Sequence, residues 1–198
     1  MKLAIAASLL ALLALVGCDD DSNNAANQGG GPGSSDPNTV IAPGAGFCEP
    51  EGGSQALGQA SYTSDSTAKI DTDGNPAMQG HDSDWNPNTS GSVNGQAVNS
   101  AQYAYVVMSP GQMAANNVAL GDWATVTNNA TGQQTYARVE DEGPAGGSGE
   151  ISQAAATAVG IQYESNAFTV GNPSVTVDAY GGTASIQSDC ASQVASNP

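Results

Sequence analysis

The chain has 198 residues, 39% of them hydrophobic, with 19 Asp and Glu against 3 Lys and Arg and a formal net charge of −16. That apolar content supports one domain core and argues against a second catalytic domain. Nucleic acid is excluded as an expected partner, because phosphate backbones need clustered Lys and Arg; the balance favours a polycation, although solubility of an exported protein accounts for acidity as well.

Residues 1–17 read as an export signal. Met1-Lys2-Leu3 begins an apolar run to Val16, too short to span a membrane as a mature helix and suited to a secretory h-region. Its end, Leu15-Val16-Gly17-Cys18, resembles the lipobox of bacterial lipoproteins. The resemblance implies cleavage before Cys18, lipid on that cysteine, and anchoring in the cell envelope on the periplasmic or cell-surface side of the membrane. Asp19 is similar to the signal that keeps some lipoproteins in the inner membrane. Without Lys2, the exported chain keeps Lys69 and Arg138 as its cations.

Residues 18–45 comprise Cys18 and a tether of Asp, Ser, Asn, Gly and Pro, which cannot bury enough surface to offset its ordering entropy. The folded domain is expected over 46–190, with a tail at 191–198. Assigning Cys18 to lipid leaves Cys48 and Cys190 as an even pair in an oxidising compartment, where a disulfide is expected. Such a bond would close nearly the whole domain into one loop, stabilising it by roughly 5 kcal/mol in the chain-entropy treatment. Two unpaired thiols are the alternative.

Short alternating apolar runs at 103–108, 122–127, 134–139 and 174–180 predict strands. Asn128-Asn129-Ala130-Thr131-Gly132 predicts a hairpin turn between the second and third, since Asn and Gly tolerate positive φ. One helix is predicted over about 150–159, with Ser148 or Gly149 as N-cap, an Ala-rich body and Gly160 as terminator. The fold class is mainly β, a compact barrel with one packed helix and no internal repeat.

Between the third strand and the helix runs Val139-Glu140-Asp141-Glu142-Gly143-Pro144-Ala145-Gly146-Gly147-Ser148-Gly149-Glu150. The glycine-rich turn brings Asp141 and Glu150 near one another. Two carboxyls across a tight loop can split a glycosidic bond, one giving a proton to the leaving oxygen while the other activates water. Alternation along the strand sends Glu140 and Asp141 to opposite faces, so one of the two faces a pocket. Placed in the first helical turn, Glu150 would be held ionised by the macrodipole and suit the base. Asp141, among Glu140 and Glu142, would be raised by like charge and suit the acid. A solvated acidic turn with a helix-capping glutamate accounts for the same residues without chemistry.

Asp71-Thr72-Asp73-Gly74-Asn75 places oxygens at alternate positions as in a calcium loop, yet Pro76 stands where that loop needs Gly and no glutamate closes it. No metal and no cofactor are expected; a substrate-facing acidic loop or a simple turn is. Trp85 and Trp123 could stack on sugar rings, with Trp123 better suited to the core. The sole histidine, His81, lacks partners for zinc or a triad and reads as a surface residue. Arg138 is expected to pair with a neighbouring carboxylate.

A longer pattern runs through the domain. Ile70-Asp71-Thr72-Asp73-Gly74 is followed by Val93-Asn94-Gly95-Gln96-Ala97-Val98-Asn99 and Tyr105-Val106-Val107-Met108-Ser109-Pro110. Then come Gly121 to Val126, Tyr136-Ala137-Arg138-Val139-Glu140-Asp141-Glu142-Gly143-Pro144, and Gly149-Glu150-Ile151-Ser152, ending at Val159-Gly160-Ile161. In this order the segments resemble the fungal-type chitosanases of glycoside hydrolase family 75 over roughly 70–161. The resemblance implies endo-hydrolysis of β-1,4 glucosamine linkages with inversion. Asp141 and Glu150 match the catalytic pair, and Asp71, Asp73, Trp85 and Glu142 are assigned to substrate binding. Inversion requires room for a water, so the carboxyls are expected about 6.5 to 9.5 Å apart around bound substrate. Glu140 stands where the family has Gly and Glu142 where it has Thr, departures that bear on activity. The Asp-x-Gly-Pro turn also resembles expansins and rare lipoprotein A. That likeness refines the fold to a six-stranded double-psi-like β-barrel and makes a peptidoglycan-cleaving or wall-binding barrel the second reading. A third is a non-enzymatic adhesion or scaffold lipoprotein. The expected partners are a polysaccharide and, through lipid, a membrane; a monomer is expected.

Overall fold

The computed structural model describes residues 47–189. The signal segment, Cys18, the tether, Cys190 and the tail lie outside the described residues. In chain order come β1 (Glu49–Pro50), α1 (Ser54–Leu57), β2 (Tyr62–Thr67), β3 (Lys69–Asp71) and a 3-10 turn at Pro76–Met78. There follow β4 (Ser92–Val93), β5 (Gln96–Ala97), β6 (Tyr105–Met108), α2 (Pro110–Ala115), β7 (Trp123–Asn128) and β8 (Gln134–Glu142). The last elements are β9 (Glu150–Ser152), α3 (Gln153–Ala158), β10 (Ser174–Tyr180) and β11 (Ser188–Asp189).

Seven strands form one mixed sheet in the order β2-β10-β7-β8-β6-β9-β3. The two edge strands are consecutive in sequence, separated by Ala68 alone. Ala68 N–H donates to Pro173 O (2.8 Å) on the β10 side, and Lys69 N–H donates to Gly149 O (2.9 Å) on the β9 side. One extended segment therefore borders both ends of the sheet, which curls it into a half-barrel. The inner face holds the main core, where Ile70, Val106, Val126, Val139, Ile151 and Val177 meet. Alternation in β10 is complete: Val175, Val177 and Ala179 are buried, whereas Thr176 and Asp178 face β2 and bond Asp65 and Thr63 there.

Four strands fall where their β-branched and aromatic pattern predicts, and the hairpin turn at 128–132 joins β7 to β8. Other expectations are corrected. The principal sheet has seven strands rather than six, because the Ser, Thr and Asp of β2 disguise it and β3 and β9 are only three residues each. The described residues include three short α-helices rather than one.

The helix predicted from 150 begins at Gln153. Its N-cap is Ser152, whose hydroxyl accepts from Ala155 N–H at 3.1 Å, rather than Ser148 or Gly149. The residues before it are taken by β9, which pairs in parallel with β3 and antiparallel with β6. Buried Ala154, Ala155 and Ala156 then let α3 lie close against the sheet.

Arg138 is corrected too. Its guanidinium donates to the carbonyls of Gly121 (2.8 Å), Ala184 (3.3 Å) and Ile186 (2.8 Å) and lies 4.2 Å over the Trp123 ring. It holds three loop carbonyls in a second aromatic cluster instead of pairing primarily with a carboxylate. Trp123 is fully buried there, its Nε1–H donating to Ile186 O at 3.0 Å, so it is core and not a sugar platform.

Candidate active site

Strands β3, β8 and β9 each contribute carboxyls to a single cleft of about 690 Å³. Asp71 ends β3, Asp141 lies near the end of β8, and Glu150 starts β9. Asp73, Asp82, Asp84 and Glu142 line the same cleft, with Lys69 the one cation among its lining residues.

A β-bulge aims Asp141. In the parallel β6–β8 pair, Val106 faces Val139 but Val107 faces Asp141, leaving Glu140 as the extra residue. Glu140 turns away to a separate hollow lined by Phe47, Gly91 and Arg138, while Asp141 lines the cleft. Room for Glu140 depends on Gly91, where a Cβ would collide with the Glu140 carboxylate and lie 2.7 Å from its carbonyl oxygen. Asp141 Oδ1 accepts from Ser90 N–H and Glu142 N–H, both at 2.8 Å, which fixes the carboxylate plane.

Two glycines shape the other side. Gly149 has φ +73, and a Cβ there would meet the Ser66 side chain and the Thr67 carbonyl, so only glycine admits the tight entry into β9. At Gly143 a Cβ would lie 2.9 Å from Val107 Cγ1 and 3.5 Å from Glu150 Oε2; its absence keeps space beside the Glu150 carboxyl.

The 71–75 loop is tied down by side chains. Asp71 Oδ1 accepts from Asp73 N–H (2.8 Å), Asp73 Oδ1 from Asn86 N–H (2.7 Å), and Asp82 Oδ2 from Thr72 Oγ1–H (2.7 Å). Beneath it, buried Tyr105 donates to Asp73 O at 3.3 Å. Carboxylate oxygens of Asp71, Asp73 and Asp141 all lie within 4.8 Å of one another. Asp71 and Asp141 are 7% and 6% exposed, so this charge is concentrated where water screens it poorly.

The electrostatics follow from burial. Desolvation, reinforced by Asp73, Asp141 and Glu150, pushes Asp71 from 3.8 up to about 8 despite the bond from Asp73 N–H. Asp73 rises for the same principal reason to about 6. Burial also raises Glu150, with Lys69 opposing and Asp141, Asp82 and Asp84 adding to the rise. Glu150 begins a strand and not the first turn of a helix, so the macrodipole expected to hold it ionised does not act on it, and burial raises it instead. Chemically, such a cleft can hold protons on carboxyls near neutrality, deliver one to a leaving group, or take a cation; the three clustered Asp oxygens are of the kind that suit a hard divalent ion.

Of the residues singled out from the sequence, Asp71, Asp73, Asp141, Glu142 and Glu150 come together. Trp85 is half-buried outside the cleft lining, its Nε1 buried without a hydrogen-bond partner. His81 is exposed at the rim. Sequence reasoning missed Asp82, Asp84 and Phe168. The Asp82-Ser83-Asp84 run is visible as acidic but nothing local ties it to Asp141, and Phe168 stands in no periodic pattern. No protein-family model matches the chain, and no curated protein matches it.

Proposed function

We propose that the chain is a lipid-anchored endo-chitosanase that hydrolyses β-1,4 glucosamine linkages with inversion, using Asp141 and Glu150. The observation that carries this reading is their shared cleft, lined by five further Asp and Glu residues besides one Lys. A polymer with protonated amines is the sugar chain whose charge best complements it. Glu150, raised by burial, is the proton donor to the leaving oxygen. Asp141, oriented by the Ser90 and Glu142 amides, is the base that activates water on the opposite face of the sugar. Asp71, Asp73 and Glu142 contact the substrate amines and hydroxyls.

The half-barrel is read as a double-psi-like barrel; the parallel β3–β9 and β6–β8 pairs and the link through Ala68 support this. Envelope anchoring through Cys18 rests on the lipobox resemblance. The register Glu49↔Asp189 sets the strand after Cys48 against the strand before Cys190, which supports a disulfide between those cysteines.

The test is release of reducing ends from chitosan by the purified chain, alongside digestion of peptidoglycan sacculi. Asp141→Asn and Glu150→Gln should each remove most of the chitosan rate. Full activity in both variants would sink the assignment, and solubilised sacculi with untouched chitosan would replace it with the wall-cleaving reading.

A further inference from the structure

We infer that Phe168 is a stacking platform for one sugar ring of the amino-sugar chain, a binding position at the cleft mouth separate from the two reacting carboxyls; this rests on the chitosan-hydrolase reading. The chain has two phenylalanines. Phe47 is buried with Tyr103 and Trp123 in an aromatic cluster. Phe168 is 70% exposed, and among the described residues only Val170, at 52%, joins it as an exposed large hydrophobic. A lone exposed apolar residue on a convex surface means little. Phe168, however, lines the acidic cleft.

Its loop is built to hold it there. Glu164 N–H donates to Phe168 O (2.8 Å), Ala167 N–H to Glu164 O (3.1 Å) and Val170 N–H to Gln162 O (2.9 Å). Phe168 N–H in turn donates to Asn166 Oδ1 at 3.3 Å. Ala167 is held at φ +68, a left-handed conformation that costs an alanine roughly 1–2 kcal/mol, while it packs against the main core. Tyr163 and Thr169 bridge at the base of the loop. The backbone on both sides of the ring is thus fixed before ligand arrives, which lowers the ordering cost of binding.

The occupant follows from the two chemistries side by side. A β-linked pyranose offers an apolar face of C–H groups to the electron-rich ring face. Its rim carries polar groups; on a glucosamine unit one of these is an ammonium, attracted both by the aromatic quadrupole and by the cleft carboxylates of Asp82, Asp84 and Glu142.

Binding is measured on the full-length chain carrying Asp141→Asn to block turnover, with a glucosamine oligosaccharide and a neutral β-1,4 glucan oligosaccharide of equal length as probes. Phe168→Ala is expected to weaken binding of the amino-sugar oligomer roughly 3- to 10-fold. Phe168→Trp is expected to retain affinity, with indole fluorescence that shifts saturably with oligomer. On the catalytically intact chain, Phe168→Ala should raise KM while kcat stays near that of the parent. Unchanged affinity in Phe168→Ala, or an indole blind to saturating oligomer, overturns the platform. Equal affinity for the neutral glucan overturns the amino-sugar assignment. If oligomer binding depends on Phe168 but the intact chain leaves chitosan uncut, the hydrolase reading falls and the platform stands. Cleavage that requires Asp141 and Glu150 but ignores Phe168 keeps the hydrolase reading and removes the platform, and a chain that binds neither oligomer overturns both.

Discussion

Glu140 and Asp141 are neighbours in β8 yet line different hollows of the molecule, Glu140 beside Arg138 and Gly91 and Asp141 inside the acidic cleft. Alternation along the strand sends the two side chains to opposite faces, and the β6–β8 bulge sets Asp141 rather than Glu140 opposite Val107. Removing one carboxylate should therefore have a different effect from removing the other. Asp141→Asn is expected to lower kcat on chitosan by about 10²–10⁴-fold, the usual worth of a positioned acid or base. Glu140→Gln should leave kcat near that of the parent, because its side chain takes no part in the cleft. Its effect should appear in stability: burial raises Glu140 from 4.5 to about 7 although Arg138 opposes the rise, so an uncharged amide is favoured above that pH. Rates of both variants on one chitosan preparation, with melting curves at pH 8, check this; loss of activity in Glu140→Gln would contradict it.

Lys69 and Glu150 are register partners across β3 and β9, and the Lys69 charge holds the Glu150 acid below where burial alone would put it. If Glu150 donates the proton, the high-pH limb of the kcat profile reports its ionisation. Lys69→Met removes the opposing charge, so that limb should move to higher pH. Measured kcat profiles of parent and variant decide; movement to lower pH would assign the limb to another group.

Stability should fall as the medium becomes more alkaline. Asp71 and Asp73 bind protons more tightly in the folded chain than in the unfolded one, from 3.8 to about 8 and about 6. Their contribution is complete below about pH 3.8 and is lost as pH rises through 6 and then 8. Asp71→Asn removes the buried charge, and it should stabilise the fold at pH 8 by something on the order of 1–3 kcal/mol while flattening the pH dependence. Melting temperatures across that range test both statements. A parent that grows more stable between pH 5 and 8 would refute them.

Gly149 and Gly146 both adopt left-handed backbone, but only Gly149 has atoms where a Cβ would go. Gly146→Ala should lose about 1 kcal/mol from strain alone. Gly149→Ala must also displace Ser66 or the Thr67 carbonyl, so a larger loss is expected together with a fall in activity as Glu150 shifts. Paired denaturation curves and rates would show this; equal losses would mean that the entry to β9 yields without cost.

How much is legible in the sequence varies with the element. β6, β7, β8 and β10 can be read because β-branched and aromatic side chains are concentrated over four or more residues, alternating in burial along β10 and buried nearly throughout in β6 and β7. β2 cannot, since its Tyr-Thr-Ser-Asp-Ser-Thr run carries no apolar alternation and becomes a strand only through β10 beside it. The start of α3 is obscured because Glu-Ile-Ser before an alanine run looks like a first helical turn. Pairing with β3 and β6 makes those three residues a strand instead.

The amino-acid sequence by itself determined the strand pattern, the acidic balance, the glycine-lined connection and the two carboxyls on either side of it, all consequences of local chemistry and spacing. Tertiary structure decided which charges meet. Asp71 stands 70 positions before Asp141, and it reaches the same cleft because the Tyr62–Asp71 segment passes from one sheet edge to the other through Ala68. Burial of carboxyls from distant strands in one low-dielectric space then raises Asp71, Asp73 and Glu150 together, an effect that depends on separations in space and so cannot be read along the chain.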